Sequence, residues 1–221
     1  MGIAFFDLDK TVLAVNSGRL WVQREVALGN LRRRQALQAG VWLLRYELGF
    51  ASAEEMVDQA VAQTRGSRGD VLQARTEEFY REEVRPTFRP GALRALADHR
   101  RQGDTLTLLT SSTAYLSELV AEELGFDRVC CNRLEVDRAG LHTGKVEGRI
   151  CFGAGKLDYA RAEAQAAAVP LSACAFYTDS FSDLPVLAVV GRPVAVNPDP
   201  RLKREARRRG WPVVDWGRPP A

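Results

Sequence analysis

The chain has 221 residues, of which 46% are hydrophobic and 27% are charged, and its formal net charge at pH 7 is +3. This composition excludes disordered, collagen-like and coiled-coil proteins, and the length suits one α/β core with a small additional domain. The charge is too small to indicate nucleic-acid binding by itself, and two histidines and four cysteines without HExxH or CxxC spacing exclude the common zinc sites.

The first predicted element is a short strand at residues 3–6, because four consecutive apolar residues are typical of a strand covered on both faces of a parallel sheet. From about residue 17 to residue 83 the apolar residues recur near every 3.6 positions. Within this stretch, Ser-Ala-Glu-Glu at 52–55 supplies a capping-box start for a helix. We therefore expect the segment after the first strand to be helical, with no strand interrupting it.

Strands and helices alternate after residue 86. The pattern predicts helices over 90–101, 114–124, 156–167 and 184–190, strands over 105–109, 129–132, 174–178 and 194–196, and a hairpin over 134–146. Alternation of this kind indicates an α/β fold with a doubly wound parallel sheet. We assign residues 1–14 and 86–221 to this core domain and residues 15–85 to an inserted helical domain.

Polar side chains follow three of the predicted strands where each strand ends: Asp7 and Asp9, Ser111 and Ser112, and Asp179 and Asp183. Lys156, one of only four lysines in the chain, begins a helix after Gly153 and Gly155. Ligands of open α/β sheets bind beyond the carboxyl ends of the strands. We therefore expect these side chains to form one site.

Clustered carboxylates of this kind require a metal ion if they are to act on a phosphate group. Each unscreened pair of like charges about 4 Å apart costs roughly 4 kcal/mol at an effective dielectric constant of ~20. Hard oxygen ligands favour Mg²⁺, and Asp7, the backbone carbonyl two residues later and Asp179 would supply half of its coordination shell. Asp9 would protonate a leaving alcohol and later activate water, while Ser111 and Lys156 would bind the phosphate.

Four ordered motifs carry a resemblance to a known family: Asp7-Leu-Asp9-Lys-Thr-Val-Leu13, Ser111 after an apolar strand, Lys156, and Asp179-Ser-Phe-Ser-Asp183. This pattern resembles the haloacid-dehalogenase (HAD)-type hydrolases. The helical insert after the first motif resembles the C1 cap of their subfamily IB, the phosphoserine-phosphatase-like branch. The resemblance implies a Rossmann-like core with an all-helical cap, and a phosphatase reaction through an aspartyl-phosphate.

The resemblance also implies a role for each motif residue. Asp7 would be the nucleophile and Asp9 the acid and base, with Lys156 as a third catalytic residue. The residues implied at the phosphate are Ser111, Ser112 and Lys156. The residues implied at the Mg²⁺ are Asp7, Asp9, Asp179 and Asp183.

Two departures from phosphoserine phosphatases bear on the substrate. Those enzymes have a glutamate that meets the substrate amine where this chain has Asn16, and they usually have Gly-Gly where this chain has Ser112-Thr113. The closing stretches 194–200 and 210–212 resemble a subgroup that includes histidinol-phosphate phosphatases. We therefore expect a small phosphorylated metabolite, such as histidinol phosphate or another amino-alcohol or amino-acid phosphate, with phosphoserine as the alternative.

Two other classes of function remain open on the residues alone. A receiver-type regulatory domain also combines Mg²⁺ with Asp, Ser or Thr, and Lys on a parallel sheet, although its phosphate acceptor follows a later strand. A catalytically inert binding protein could retain the same scaffold.

The partner of this chain is expected to be a small-molecule phosphate ester. The arginine runs at 32–34 and 201–209 lack interleaved aromatic residues and are interpreted as solvated helix faces, so neither nucleic acid nor membrane is expected. Four cysteines without disulfide-type spacing, and the lack of a signal-like or membrane-spanning run, indicate a cytoplasmic protein. A monomer or homodimer is expected.

Overall fold

The computed structural model describes residues 2–30 and 61–219. In chain order the elements are β1 (Ile3–Phe6), α1 (Ser17–Ala27), α2 (Gly69–Phe79), α3 (Pro90–Gln102), β2 (Thr105–Thr113), α4 (Ala114–Leu124), β3 (Arg128–Asn132), β4 (Leu134–Val136), β5 (His142–Val146), α5 (Ala154–Ala166), β6 (Ala175–Thr178), α6 (Leu184–Leu187), β7 (Arg192–Val196), α7 (Pro200–Arg209) and β8 (Val213–Val214).

Six of the strands form a parallel sheet in the order β3-β2-β1-β6-β7-β8. All four residues of β1 are buried, because the strand lies inside the sheet and both of its faces are covered. Phe6 belongs to the hydrophobic cluster on one face, and Phe5 belongs to the cluster on the other. The predicted fold class is confirmed, and the carboxyl ends of β2, β1 and β6 lie side by side.

In its described part the segment after β1 forms the helices α1 and α2, and helices were predicted there. Arg24 of α1 forms ion pairs of 2.7–3.1 Å with Glu78 of α2 and with Glu82 and Glu83 in the segment that follows α2. α2 packs against α4 of the core. The predicted capping box at 52–55 and the arginine run at 32–34 lie outside the described residues.

Most predicted boundaries differ from the structure by one or two residues at most, but two predicted ends are wrong by three residues or more. β2 continues four residues past the predicted end at 109, because after an irregularity Thr113 still pairs with Asn132 of β3. The helix predicted over 184–190 ends at Leu187. There the chain must turn into β7 through Gly191, whose backbone passes so close to the Ser172 carbonyl that a Cβ atom would overlap it.

The hairpin is as predicted. β4 and β5 pair in antiparallel fashion, and all four cysteines are buried and free. Among the described helices, none has the length and apolar character needed to span a bilayer.

Candidate active site

Asp7 lies at the end of the buried strand β1. Its amide donates a 2.9 Å hydrogen bond to the carbonyl of Tyr177 in β6, which continues the sheet by one residue. A tight turn over Leu8–Val12 follows, in which Lys10 adopts a left-handed conformation with φ of 56°. The turn brings the Thr11 hydroxyl to 3.4 Å from Asp7 Oδ2. The carboxylate of Asp7 is therefore held at the sheet edge, nearly out of contact with solvent.

Lys156 approaches the same carboxylate from the first turn of α5. Its Nζ donates to Asp7 Oδ1 at 2.6 Å and to Asp183 Oδ2 at 2.9 Å. Burial alone would lower the pKa of Lys156, but Asp183 and Asp7 outweigh burial and the net shift is upward. The ammonium group therefore stays charged and joins two motifs that are far apart in the chain.

The start of α5 depends on Gly155, because a Cβ atom there would overlap the Ile150 carbonyl oxygen. We expect Gly155→Ala to lower the free energy of unfolding by about 1–3 kcal/mol and to displace Lys156, which urea denaturation and a phosphatase assay would detect. The matched control is Gly18→Ala in α1, where the nearest atom outside the helix backbone is 3.5 Å away. An unchanged stability for Gly155→Ala would contradict the prediction.

The loop after β6 supplies two acids. Asp183 Oδ2 accepts a second hydrogen bond, of 2.6 Å, from the Thr178 hydroxyl. Its other oxygen, Oδ1, is buried and has no hydrogen-bond partner in the described part of the chain. The backbone carbonyl of Asp179 accepts a 2.8 Å hydrogen bond from the amide of Asp199, which holds this loop against the N-terminus of α7.

Acidic side chains outnumber basic ones in the buried part of the site, where Asp7, Asp179 and Asp183 accompany Lys156. Burial, followed by repulsion from Asp183, raises the pKa of Asp7 to about 7 even though Lys156 opposes the shift. Burial and repulsion from Asp7 and Asp183 raise the pKa of Asp179 to about 8. One lysine therefore does not compensate these carboxylates, and a divalent cation would.

The donor set fits Mg²⁺. In residues 2–30 and 61–219 no three His, Cys, Asp or Glu side chains are arranged as a ready-made metal cluster. Two carboxylates, a backbone carbonyl and solvent do not require such a cluster, however, and oxygen ligands of this type are those that Mg²⁺ prefers. The unpartnered Asp183 Oδ1 is a further acceptor at the same place.

Asp9 lies between the strand end and the helical insert. Its Oδ1 accepts a 2.8 Å hydrogen bond from the amide of Ser17, the first residue of α1. Burial raises the pKa of Asp9, and the hydrogen bonds from Ser17 oppose that rise. The position of this carboxylate is therefore tied to the first helix of the insert.

Ser111 and Ser112 lie in the last part of β2 and are half-buried. The Ser111 carbonyl accepts a 2.7 Å hydrogen bond from Asn132 Nδ2, and the Ser112 amide donates to the Thr110 hydroxyl at 3.1 Å. Thr113 occupies the N-cap position of α4 without a side-chain hydrogen bond. No hydrogen bond between described residues joins either serine hydroxyl to Asp7 or Lys156, and binding of phosphate by these serines stays a prediction.

Three polar residues contribute to the site although the sequence analysis gave them no role there. Thr178 binds Asp183, Ser17 binds Asp9, and Asn132 joins the Ser111 carbonyl to the amide of Cys151, which donates to Asn132 Oδ1 at 2.8 Å. Their sequence signal is only a hydroxyl or amide near a strand or helix end. Asn16, by contrast, caps α1 by accepting a 2.8 Å hydrogen bond from the Arg19 amide.

Comparison with known proteins gives a consistent result. The profile of the haloacid dehalogenase-like hydrolases matches residues 4–188. The "Inhibition of morphological differentiation protein" of Streptomyces azureus is 35% identical over 98% of this chain and 79% of its own length. A phosphoserine phosphatase of Mycobacterium tuberculosis is 32% identical over 96% of this chain and 70% of its own length. A histidinol-phosphatase of Neisseria meningitidis is 28% identical over 97% of this chain and 98% of its own length.

Solved structures agree with the fold. A protein of unknown function from Bordetella pertussis Tohama I superposes with a TM-score of 0.87 at 29% identity, covering 97% of this chain and 98% of its own. A phosphoserine phosphatase containing an analogue of the phospho-aspartyl intermediate superposes with a TM-score of 0.73 at 18% identity, covering 98% of this chain and 94% of its own. At this identity the likeness supports the fold alone. The chain belongs to the haloacid dehalogenase-like hydrolase family.

Proposed function

We propose that this enzyme is a Mg²⁺-dependent phosphatase that hydrolyses a small phosphate monoester, histidinol phosphate or a related amino-alcohol or amino-acid phosphate, through an aspartyl-phosphate at Asp7. The observation that carries the proposal is the buried contact of Lys156 with both Asp7 and Asp183. This contact brings together the proposed nucleophile Asp7, the ammonium group of Lys156 and the proposed metal-supporting acid Asp183 at the carboxyl ends of the strands. Family membership and relatives named as phosphatases support the same reaction.

In the first step an oxygen of Asp7 forms a bond to phosphorus, and the bond from phosphorus to the leaving oxygen breaks. Asp9 gives its proton to that oxygen, so the alcohol leaves neutral. Lys156, which donates a hydrogen bond to Asp7, offsets negative charge beside the phosphoryl group. Ser111 would donate a hydrogen bond to the phosphoryl group. Bound Mg²⁺, held by Asp7, the Asp9 carbonyl and Asp179 with support from Asp183, would neutralise charge on the phosphoryl oxygens.

In the second step Asp9 takes a proton from water, whose oxygen attacks the phosphorus of the aspartyl-phosphate. The bond between Asp7 and phosphorus then breaks and releases inorganic phosphate. Since one carboxyl group acts first as acid and then as base, Asp9 must stay within reach of both the leaving oxygen and the water.

The relatives and Asn16 guide the choice of substrate. The Neisseria relative named histidinol-phosphatase aligns over nearly the full length of both chains. Asn16 stands where phosphoserine phosphatases have a glutamate for the substrate amine, and here its side chain is occupied in capping α1. Phosphoserine is retained as the second candidate because a phosphoserine phosphatase is 32% identical to this chain.

A screen of phosphate esters tests the proposal. Purified protein is assayed for phosphate release from histidinol phosphate, phosphoserine, phosphoethanolamine and p-nitrophenyl phosphate, in Mg²⁺ and again in EDTA. We expect Mg²⁺-dependent release, with the highest kcat/KM for histidinol phosphate or another amino-alcohol phosphate. Failure to hydrolyse any ester in Mg²⁺ would overturn the proposal and favour an inert binding protein. A phosphoprotein that persists for minutes would favour a receiver-type role.

Ser17→Pro tests the acid role of Asp9. Proline is tolerated at the first position of a helix, but it removes both the amide and the hydroxyl that Ser17 offers to Asp9. We expect kcat/KM to fall by about 10²-fold for an alkyl phosphate. The loss should be much smaller for p-nitrophenyl phosphate, whose leaving group needs no proton. Ser17→Ala, which keeps the amide, is the control, and equal losses on both substrates would contradict the prediction.

We divide the chain into a core of residues 1–14 and 86–221 and a cap of residues 15–85, which would cover the site and favour small substrates. The four buried free cysteines are consistent with a reducing compartment such as the cytoplasm. A monomer or homodimer without nucleic-acid or membrane partners fits this activity.

A further inference from the structure

Thr178 is the last residue of β6, and its side chain is completely buried directly below the site. Its hydroxyl makes two hydrogen bonds within the loop that follows. It donates to Asp183 Oδ2 at 2.6 Å and accepts from the amide of Ser180 at 3.2 Å. One hydroxyl therefore connects the end of the strand with both ends of the loop that carries Asp179 and Asp183.

The two oxygens of Asp183 differ sharply in their surroundings. Oδ2 accepts from Thr178 and, at 2.9 Å, from Lys156. Oδ1 is buried without a hydrogen-bond partner among the described residues. An unsatisfied buried carboxylate oxygen is costly, so this atom is the one available to a cation or to a water molecule bound to it.

We propose that Thr178 is a positioning residue for Mg²⁺. Its hydroxyl keeps Asp183 Oδ2 in contact with Lys156, so that Asp183 Oδ1 is free to bind Mg²⁺ or a water molecule on the Mg²⁺. The same hydroxyl holds the Ser180 amide, which shapes the backbone next to Asp179. This inference rests on the proposed function, because it assumes that the acids hold Mg²⁺.

The hydroxyl, and not the volume of the side chain, is the operative feature. The Lys156 ammonium group is shared between Asp7 and Asp183 at the end of a long side chain, whereas the Thr178 hydroxyl is attached through a short side chain to a strand of the sheet. Without it, Asp183 could rotate and turn either oxygen toward the lysine. Groups that orient the ligands of a metal typically change metal affinity by about 10–100-fold when they are removed.

The chain contains a matched control in the same sheet. Thr107 of β2 is also completely buried, but its hydroxyl has no hydrogen-bond partner among the described residues. Thr107→Val therefore makes the same isosteric change as Thr178→Val without removing a bond to an acid.

The experiment is a calorimetric titration of MgCl₂ into metal-free protein, for the wild type, Thr178→Val, Thr178→Ser and Thr107→Val. We expect Thr178→Val to weaken Mg²⁺ binding about 10-fold or more. Thr178→Ser should restore affinity to near that of the wild type, and Thr107→Val should leave it unchanged. Circular dichroism of each metal-free variant confirms that the fold is kept.

Unchanged Mg²⁺ affinity in Thr178→Val, while the wild type binds Mg²⁺ and hydrolyses phosphate esters, would overturn this inference alone. Equal weakening in Thr178→Ser and Thr178→Val would overturn it as well, since the hydroxyl would not be responsible. If Thr178→Val folds poorly, Thr178→Ala takes its place, and the Mg²⁺ affinity of Thr178→Ser is then compared with that of Thr178→Ala. A wild type that neither binds Mg²⁺ nor releases phosphate would overturn the proposed function and this inference with it.

Discussion

Asp7→Asn is expected to lower kcat on every phosphate ester by at least about 10⁴-fold, because the amide cannot form the covalent bond to phosphorus on which the proposed reaction depends. The fold should survive the change. An asparagine can keep an oxygen near Lys156 and a position next to Thr11, the two contacts that hold the Asp7 carboxylate. Loss of activity with an unchanged melting curve would therefore show that the variant lacks the catalytic step and not the fold.

The control for Asp7→Asn is Asp98→Asn, which makes the same change at an exposed acid of α3 that forms an ion pair with Arg101 on the same helix. Its activity should equal that of the wild type. Rapid quenching of the wild type with substrate, followed by mass spectrometry, should reveal one added phosphoryl group on the peptide containing Asp7. Turnover retained by Asp7→Asn would exclude the aspartyl-phosphate mechanism.

Two of the acids, Asp7 and Asp179, could be predicted because each directly follows a strand that is recognisable from its apolar residues, and strand ends in a parallel sheet meet at one edge. Asp7 after β1 and Asp179 after β6 illustrate this, since β1 and β6 are neighbours in the sheet. The contact between Lys156 and Asp183 does not follow from spacing alone, as it depends on where Gly155 allows α5 to begin.

Residues that orient the acids could not be predicted, because their contribution depends on which atoms meet after folding. Thr178 reaches Asp183 across a loop, and Ser17 reaches back eight residues to Asp9. Both look like ordinary strand-end or helix-start residues in the sequence. β8 was missed for a different reason, since a strand of two residues shows no periodicity.

Lys156→Met is expected to have the largest effect on stability. In metal-free protein it leaves Asp7 and Asp183 buried without their cation, a change that typically costs about 3–5 kcal/mol. Phosphatase activity should fall as well, because the positive charge beside Asp7 is lost. Urea denaturation in EDTA measures the free energy of unfolding, and Lys145→Met at an exposed position of β5 should change it by less than about 0.5 kcal/mol.

A double-mutant cycle separates the ion pair from the loss of a long side chain. If Lys156 stabilises the fold by compensating Asp183, Lys156→Met should cost clearly less in an Asp183→Asn background than in the wild type, because one of the two uncompensated charges is already gone. Additive costs would show that Lys156 does not stabilise the fold by compensating the charge of Asp183. A negligible cost for Lys156→Met alone would mean that Asp7 and Asp183 need no cation in the folded protein.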